Sequence, residues 1–516
     1  MNLTVLTVRF ENSGITNNVA ENYSEGSRTM IKVSQQKIDE DKFMEMRKEV
    51  IAAWPTLKEI DLEEAVAYQK SLPDSKVFYK ELQRMGAEHR TVNFPRAGTP
   101  ILEDEIELVR SINALGVTCT PLTTDSYTRN GMFEKAQQGL EESIKTGKPK
   151  LNGYPIVNHG LKNNRKLVES VDGCLDPRCS AIANSQVAEM AFASGMNGMP
   201  CSFFAWFSGY DKKATVAELL TTAQYMGRLM GYYAERGVII NADCHGFLPN
   251  SVYPGSINIA TQIICALNVI TQGAKCVMPQ VNLQGCLAQD LGDLRAAPRL
   301  FKKYLEKLGY NDIIIPGIVG SQVPLFPYPQ DVGSAFGYSC YTAMVAALGK
   351  CPIAFVKTID EALGVPSLEA HEQTYKATNW IFNVVRQQNF PIDNDVIQQE
   401  ENLTFNEVSQ ILDKVLEMGD GDICAGAVKA METGVIDSPF PINMHAKDEV
   451  VGIRDLNGAC RYLEFGNLPF SEDIKDFHRA KVAQRAAAER REMNYYVSLE
   501  DFWAISKGQL IGKPSK

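Results

Sequence analysis

Residues 237–280 read GVIINADCHGFLPNSVYPGSINIATQIICALNVITQGAKCVMPQ, and their pattern decides the fold. A short β-branched run at 237–242 leads into a polar loop broken by Pro and Gly. A helical segment at Ile259–Gln272 follows, and a second β-branched run occupies 275–280. Strand, loop, helix and strand in that order make a βα unit, because parallel strands need a crossover of a dozen or more residues between them.

The same rhythm extends in both directions, from about 91 to 358. Strand candidates fall at 91–96, 117–122, 154–159, 174–178, 201–207, 237–242, 275–280, 312–318 and 353–357. A closed (β/α)8 barrel needs eight strands, so at least one of these nine is a loop or an accessory strand. No Gly-rich dinucleotide turn follows the first candidate, which weakens a doubly wound open sheet. The expected fold class is therefore α/β, a (β/α)8 TIM barrel with an N-terminal helical arm and a C-terminal α+β subdomain. Residues 1–40 are polar and weakly patterned and read as a flexible extension. Residues 41–380 carry the helical lead-in and the barrel, and 381–516 form the C-terminal subdomain, opening with a helix at Leu403–Gly419.

Composition narrows the function. The 516 residues carry 52 Lys and Arg against 62 Asp and Glu, a net charge of −10. That balance excludes a duplex nucleic-acid binder, which needs a basic face, and points away from nucleic-acid partners. Apolar runs stop short of a membrane span, and the N-terminus lacks a basic leader and a cleavage site, so a cytoplasmic protein with no membrane partner is expected. The 12 cysteines show no C-x-x-C spacing and mostly sit in apolar runs, as reduced core thiols do. The six histidines show no H-x3-H or H-E-x-x-H spacing, so no metal site is expected. Asp243-Cys-His245-Gly246 approaches the corrinoid motif D-x-H-x-x-G, but position 248 is Leu, and a polar loop at a barrel mouth is preferred.

Polar residues gather at strand ends: Arg96, Asp125, Arg129, Asn152, Arg178, Asp243 and Lys357. In a barrel these positions form the C-terminal mouth, where substrates bind. Each alone could be a cap or a local ion pair. Three arginines converging on one face instead suit an anion, since a planar guanidinium grips a carboxylate bidentately. A small dicarboxylate is the natural ligand of such a claw.

Asn93-Phe-Pro-Arg96-Ala-Gly98, with Glu105-Ile-Glu-Leu after it, resembles the large (epsilon) subunit family of glutamate mutase, also called methylaspartate mutase. So do Thr124-Asp-Ser-Tyr127-Thr-Arg129, Leu151-Asn-Gly-Tyr-Pro-Ile-Val-Asn158 and Val356-Lys-Thr-Ile-Asp-Glu361-Ala. Ala430-Met-Glu-Thr-Gly-Val-Ile-Asp437 and Arg461-Tyr-Leu-Glu-Phe-Gly466-Asn add to the likeness, which covers roughly 40 to 513. The resemblance implies an isomerase, a subunit of a radical carbon-skeleton mutase that uses adenosylcobalamin and acts on glutamate or a related dicarboxylate. It also implies a partner, a small D-x-H-x-x-G cobalamin-binding subunit, and a homodimer of large subunits within a heterotetramer.

Residue by residue, the resemblance places Arg96, Arg129 and Arg178 on the substrate carboxylates, with Tyr210 and Trp206 also against substrate, Trp206 standing where the family has Tyr. Gly98, Asn152, Gly209, Tyr328, Lys357, Glu361 and Val365 are its cofactor-binding positions, with Tyr328 in place of Phe. Cys179, a further substrate-binding position, replaces a His. The largest departure is Pro200, which stands where the family carries the Glu that receives the substrate ammonium, and Cys201-Ser-Phe-Phe204 is bulkier than the family's Gly-rich continuation. Proline has neither charge nor N–H to offer there. Two other readings stay open: a non-catalytic or regulatory paralogue that binds the corrinoid subunit, and a cobalamin-independent barrel lyase.

Overall fold

The computed structural model describes residues 33–513 apart from 180–181, 249–250, 253, 323–327, 364–366 and 389. Most of the segment expected to be flexible, 1–32, lies outside the described residues. Eight parallel strands form the barrel: β1 Val92–Asn93, β2 Cys119–Thr123, β3 Cys174–Arg178, β4 Gly198–Pro200, β5 Asn241–Cys244, β6 Cys276–Leu283, β7 Val319–Gln322 and β8 Ile353–Phe355. The ladder runs β1-β8-β7-β6-β5-β4, and β2 pairs with β3. A single bridge, Ala97 to Leu122, joins the β1 end to β2. Between β3 and β4 the described residues form no ladder, but the strands lie side by side, so close that a Cβ at Gly198 would lie 3.2 Å from Asp176 Oδ1.

Three strand expectations are corrected. Residues 154–159 open the helix Ile156–Glu169, and Tyr154 only bridges to Thr124, which removes the ninth strand. The aromatic run 201–207 is not a strand either. β4 ends at Pro200, and Phe203–Gly209 coils into a short helix buried on nearly every side. The apolar run 312–318 is a lead-in whose Ile314 bridges to Cys276, and the strand itself begins at Val319.

The helix of the deciding stretch spans Gly255–Thr271, and every residue in it is buried. A helix apolar all round needs cover on both faces. The barrel supplies one side and the long helix Asp395–Met418 packs on the other. The helix Leu368–Gln388 runs through residue 380, so the last barrel helix extends beyond the boundary read from the sequence. Beyond it come the helices Asp395–Met418 and Ile423–Thr433, an antiparallel hairpin, β9 Val450–Arg454 with β10 Cys460–Phe465, and the helices Glu472–Glu489 and Tyr495–Phe502.

This C-terminal region is tied into the barrel by buried ions. Arg454 Nη2 donates to the carbonyls of Ser251 and Gln284, while Arg461 is held between Asp455 and Glu400. It also holds the loop after Gly209: Ile442 N donates to Ser208 O, and Asn443 Nδ2 to the carbonyls of Asp211 and Ala214.

Residues 33–40, the described end of the leading arm, are anchored. Asp422 caps the helix Ile423–Thr433 through Cys424 N and Ala425 N, and it also accepts from Gln35 N and Ser34 Oγ. Asp422→Ala removes a cap and an anchor together and should lower stability by about 1–2 kcal/mol, read as a fall in the urea midpoint.

Candidate functional site

The loop after β1 carries Arg96. Its conformation depends on Glu105, fully buried, whose Oε2 accepts from Thr99 N at 2.6 Å. Burial pushes the Glu105 carboxyl up to about 8. Gly98 is required in this loop: its φ is +153° and a Cβ would come within 2.8 Å of Thr123 O. Arg129 ends the short helix Ser126–Arg129, which Asp125 caps through Tyr127 N and Thr128 N. Arg178 is the last residue of β3.

These three arginines line one cavity at the C-terminal mouth of the barrel, together with Thr123, Pro200, Tyr210, His245, Leu248 and polar residues of β6 and β7. The arginines are not equivalent. Arg178 is 8% exposed, with Nη2 2.7 Å from Asp176 Oδ2 and Nη1 bonded to Asp243. Its guanidinium lies over the Phe94 ring at 4.7 Å. Burial would lower the Arg178 pKa, but the two carboxylates raise it. Asp176 is pushed up to about 7 by burial, with Asp243 adding to the rise and Arg178 opposing it. Arg178 therefore has its charge met from within. Among the described residues neither Arg96 nor Arg129 has a carboxylate at ion-pair distance. Arg96 is exposed and rests over the Phe355 ring at 5.3 Å. The expected three-armed claw thus has two free arms and one that is already engaged.

His245 was passed over as a loop residue in the sequence, yet it lines the cavity. Its Nδ1 is 2.8 Å from Ser202 Oγ, which also accepts from His245 N. Burial, with the Arg178 and Arg96 charges, lowers its pKa to about 4 against the pull of Asp243, so the ring is neutral at pH 7. Gln280 and Asn282 of β6, with Ser321 and Gln322 of β7, were also missed. For Gln280 and Asn282 the available signal was a polar residue at alternate positions of an otherwise apolar strand, whereas the adjacent Ser321 and Gln322 gave no such signal.

A second cavity shares Arg96, Thr123 and Phe355 with the first, and Gly98, Asn152, Lys357, Thr358, Glu361 and His371 line it. Lys357 Nζ pairs with Glu361 Oε1 at 2.7 Å. Burial lowers the Lys357 pKa, opposed by Glu361. The two cavities differ in size, about 40 Å³ for the arginine cavity and about 470 Å³ for its neighbour.

Not every expected site residue reaches a cavity wall. Trp206 and Cys179 are fully buried beside the first cavity rather than lining it. Gly209 backs it, since a Cβ there would strike Leu248. Tyr328 stands behind the second, its ring 5.4 Å from Lys357 Nζ and its hydroxyl shared with Ser339 and Gln322. Val365 lies outside the described residues.

A family model described as Methylaspartate mutase E chain matches residues 72–514. The chain belongs to that family. The glutamate mutase epsilon subunit of Desulfitobacterium hafniense is 36% identical over 478 residues, 92% of this chain and 98% of the relative. That of Treponema denticola is also 36% identical, over 93% and 99%, and that of Haloarcula marismortui 31%, over 93% and 97%. Among solved structures, tryptophan synthase subunit alpha from Legionella pneumophila matches with a TM-score of 0.31 at 14% identity, covering 60% of this chain and 96% of that one. Methylaspartate mutase E chains are thus the relatives against which the two cavities are to be understood, and a mutase subunit is the coarse functional assignment. Among the described residues no helix is long and apolar enough to cross a membrane.

Proposed function

We propose that this chain is the substrate-binding subunit of an adenosylcobalamin-dependent carbon-skeleton mutase that acts on a small dicarboxylate. The observation that carries the proposal is the pair of joined cavities. In one, two guanidiniums without an internal counter-charge face the space beside Pro200. In the other, a space of about 470 Å³ is bordered by Gly98, which lies close against Thr123, and by the buried ammonium of Lys357 paired with the half-buried Glu361. Two cations without an internal partner answer two carboxylates.

The second cavity fits the adenosyl group of the cofactor, with Gly98, Asn152, Lys357 and Glu361 to hold it. When bound, the cofactor supplies the radical chemistry that a protein side chain cannot. The chain's own residues position the substrate. Arg96 and Arg129 each take one carboxylate, so both halves of a fragmenting skeleton stay tethered. Arg178, held rigid by Asp176 and Asp243, supports that end of the pocket. His245 is uncharged at pH 7 and offers a hydrogen bond, not a proton-donating cation. At about 40 Å³ the arginine cavity holds roughly three waters, so substrate entry requires the exposed Arg96 and Tyr210 to swing outward. In this proposal the small D-x-H-x-x-G subunit docks at the mouth, two large subunits pair within a heterotetramer, and the assembly works in the cytoplasm, where the free cysteines stay reduced.

The test is turnover by the assembled complex of this chain, a D-x-H-x-x-G subunit and adenosylcobalamin, with branched product followed by NMR. Arg129→Lys should reduce kcat/KM by about 10–100-fold, because a point charge loses one of two charge-assisted bonds worth about 1.5–3 kcal/mol each. A complex that forms but isomerises no dicarboxylate would instead mark a non-catalytic paralogue.

A further inference from the structure

Five uncharged polar side chains cover the side of the arginine cavity that β5, β6 and β7 build, across the barrel from β1 to β3: His245, Gln280, Asn282, Ser321 and Gln322. Four of them already have partners, His245 through Ser202. Gln280 Nε2 donates to Ser321 Oγ at 2.8 Å, and Gln322 Oε1 accepts from Lys357 N at 2.7 Å. Asn282 does not. It is 2% exposed, and neither its amide nitrogen nor its amide oxygen has a partner among the described residues. A buried amide left with both a donor and an acceptor open is poised for a ligand group that can be both.

We propose that His245 and Asn282 are specificity-determining residues that select a dicarboxylate bearing a hydroxyl where glutamate bears its ammonium. The inference rests on the dicarboxylate reading given above and names the substituent. A hydroxyl donates and accepts, so it satisfies Asn282 at both ends and suits His245 whichever ring nitrogen carries the proton. An ammonium only donates, and it brings a charge. Among the described residues no acidic side chain lines this cavity, and the nearest carboxylates, Asp176 and Asp243, are engaged by Arg178. Position 200 offers only a proline ring. A cation placed there would share the cavity with the unpaired guanidiniums of Arg96 and Arg129, and no carboxylate of the lining would answer it. The narrow space also favours a single oxygen over a bulkier amide.

Calorimetric titration of the full chain with glutarate, 2-hydroxyglutarate and glutamate tests this. The hydroxy acid should bind about tenfold more tightly than either of the others, a difference typical of one satisfied polar contact. Asn282→Ala and His245→Phe should each shrink that advantage to about twofold or less, measured as the ratio of the hydroxy-acid and glutarate affinities in the same variant. Glutamate binding as tightly as the hydroxy acid would overturn the inference alone, and so would a hydroxyl preference that survives in both variants. The wild-type ranking stands as a test even if a variant fails to fold. If none of the three ligands binds, the dicarboxylate reading itself falls, and the selection of a hydroxyl falls with it.

Discussion

Arg178→Met should lower the stability of the protein by about 3–5 kcal/mol at pH 7.5, the cost of leaving buried charge without its partner. Methionine fills much of the volume and can lie against the Phe94 ring as the guanidinium does. What it cannot do is answer Asp176 and Asp243, which are 0% exposed and converge on the arginine from β3 and β5. The loss should also depend on pH, with a definite sign. In the folded protein the Asp176 carboxyl sits at about 7, above its ordinary 3.8. The folded state therefore holds a proton that the unfolded chain releases, and this stabilising contribution is complete below about 4 and lost as pH rises through about 7. Without Arg178 the carboxyl should rise further, so the variant should regain much of its deficit between pH 7.5 and 5.5. Urea midpoints at the two pH values measure both effects. An unchanged midpoint at pH 7.5 would show that the cluster does not hold the wall between β3 and β5.

That cluster also shows where sequence reasoning reaches its limit. Arg96, Arg129 and Arg178 were visible as candidate ligands because each stands at the end of a strand-like run, and such ends meet at a barrel mouth. The partnership of Arg178 with Asp243 was not visible, because it spans 65 residues and passes over β4. Likewise, Gln280 and Asn282 are two polar residues in an apolar strand, and only the closed barrel shows that both face the cavity. Strand errors have a similar source. Tyr154-Pro-Ile-Val157 and the run from Cys201 to Phe207 are short, apolar and aromatic or β-branched, and periodicity cannot separate a buried strand from a buried helix at that length. The rhythm of βα units survived these errors, since it rests on many segments at once.

Pro200→Glu should convert the site from hydroxyl to ammonium recognition, at a price in stability. Pro200 closes β4, opposite Asp243 on β5. The ladder bonds to β5 come from Asn197 O and Cys201 N, so the nitrogen of residue 200 turns toward β3, where no ladder forms among the described residues. Proline is tolerated at that place because no partner is waiting for its N–H. A glutamate there would be a third carboxylate beside Asp176 and Asp243, with Arg178 already engaged by both. Arg96 and Arg129, across the cavity, offset part of that repulsion, so the unliganded variant should lose about 1–3 kcal/mol, less than a wholly unpaired buried ion would cost. Glutamate supplies the missing cation. At a concentration 100 times its Kd it should restore about 2.7 kcal/mol, as any ligand confined to the folded state does. Thermal unfolding with and without ligand separates the contributions: glutamate should raise the Tm of the variant more than 2-hydroxyglutarate does, the reverse of the wild-type order. A variant as stable as the wild type, or one that glutamate does not move, would mean that position 200 does not face the substituent. In that case the wall of His245 and Asn282 would act alone in choosing it.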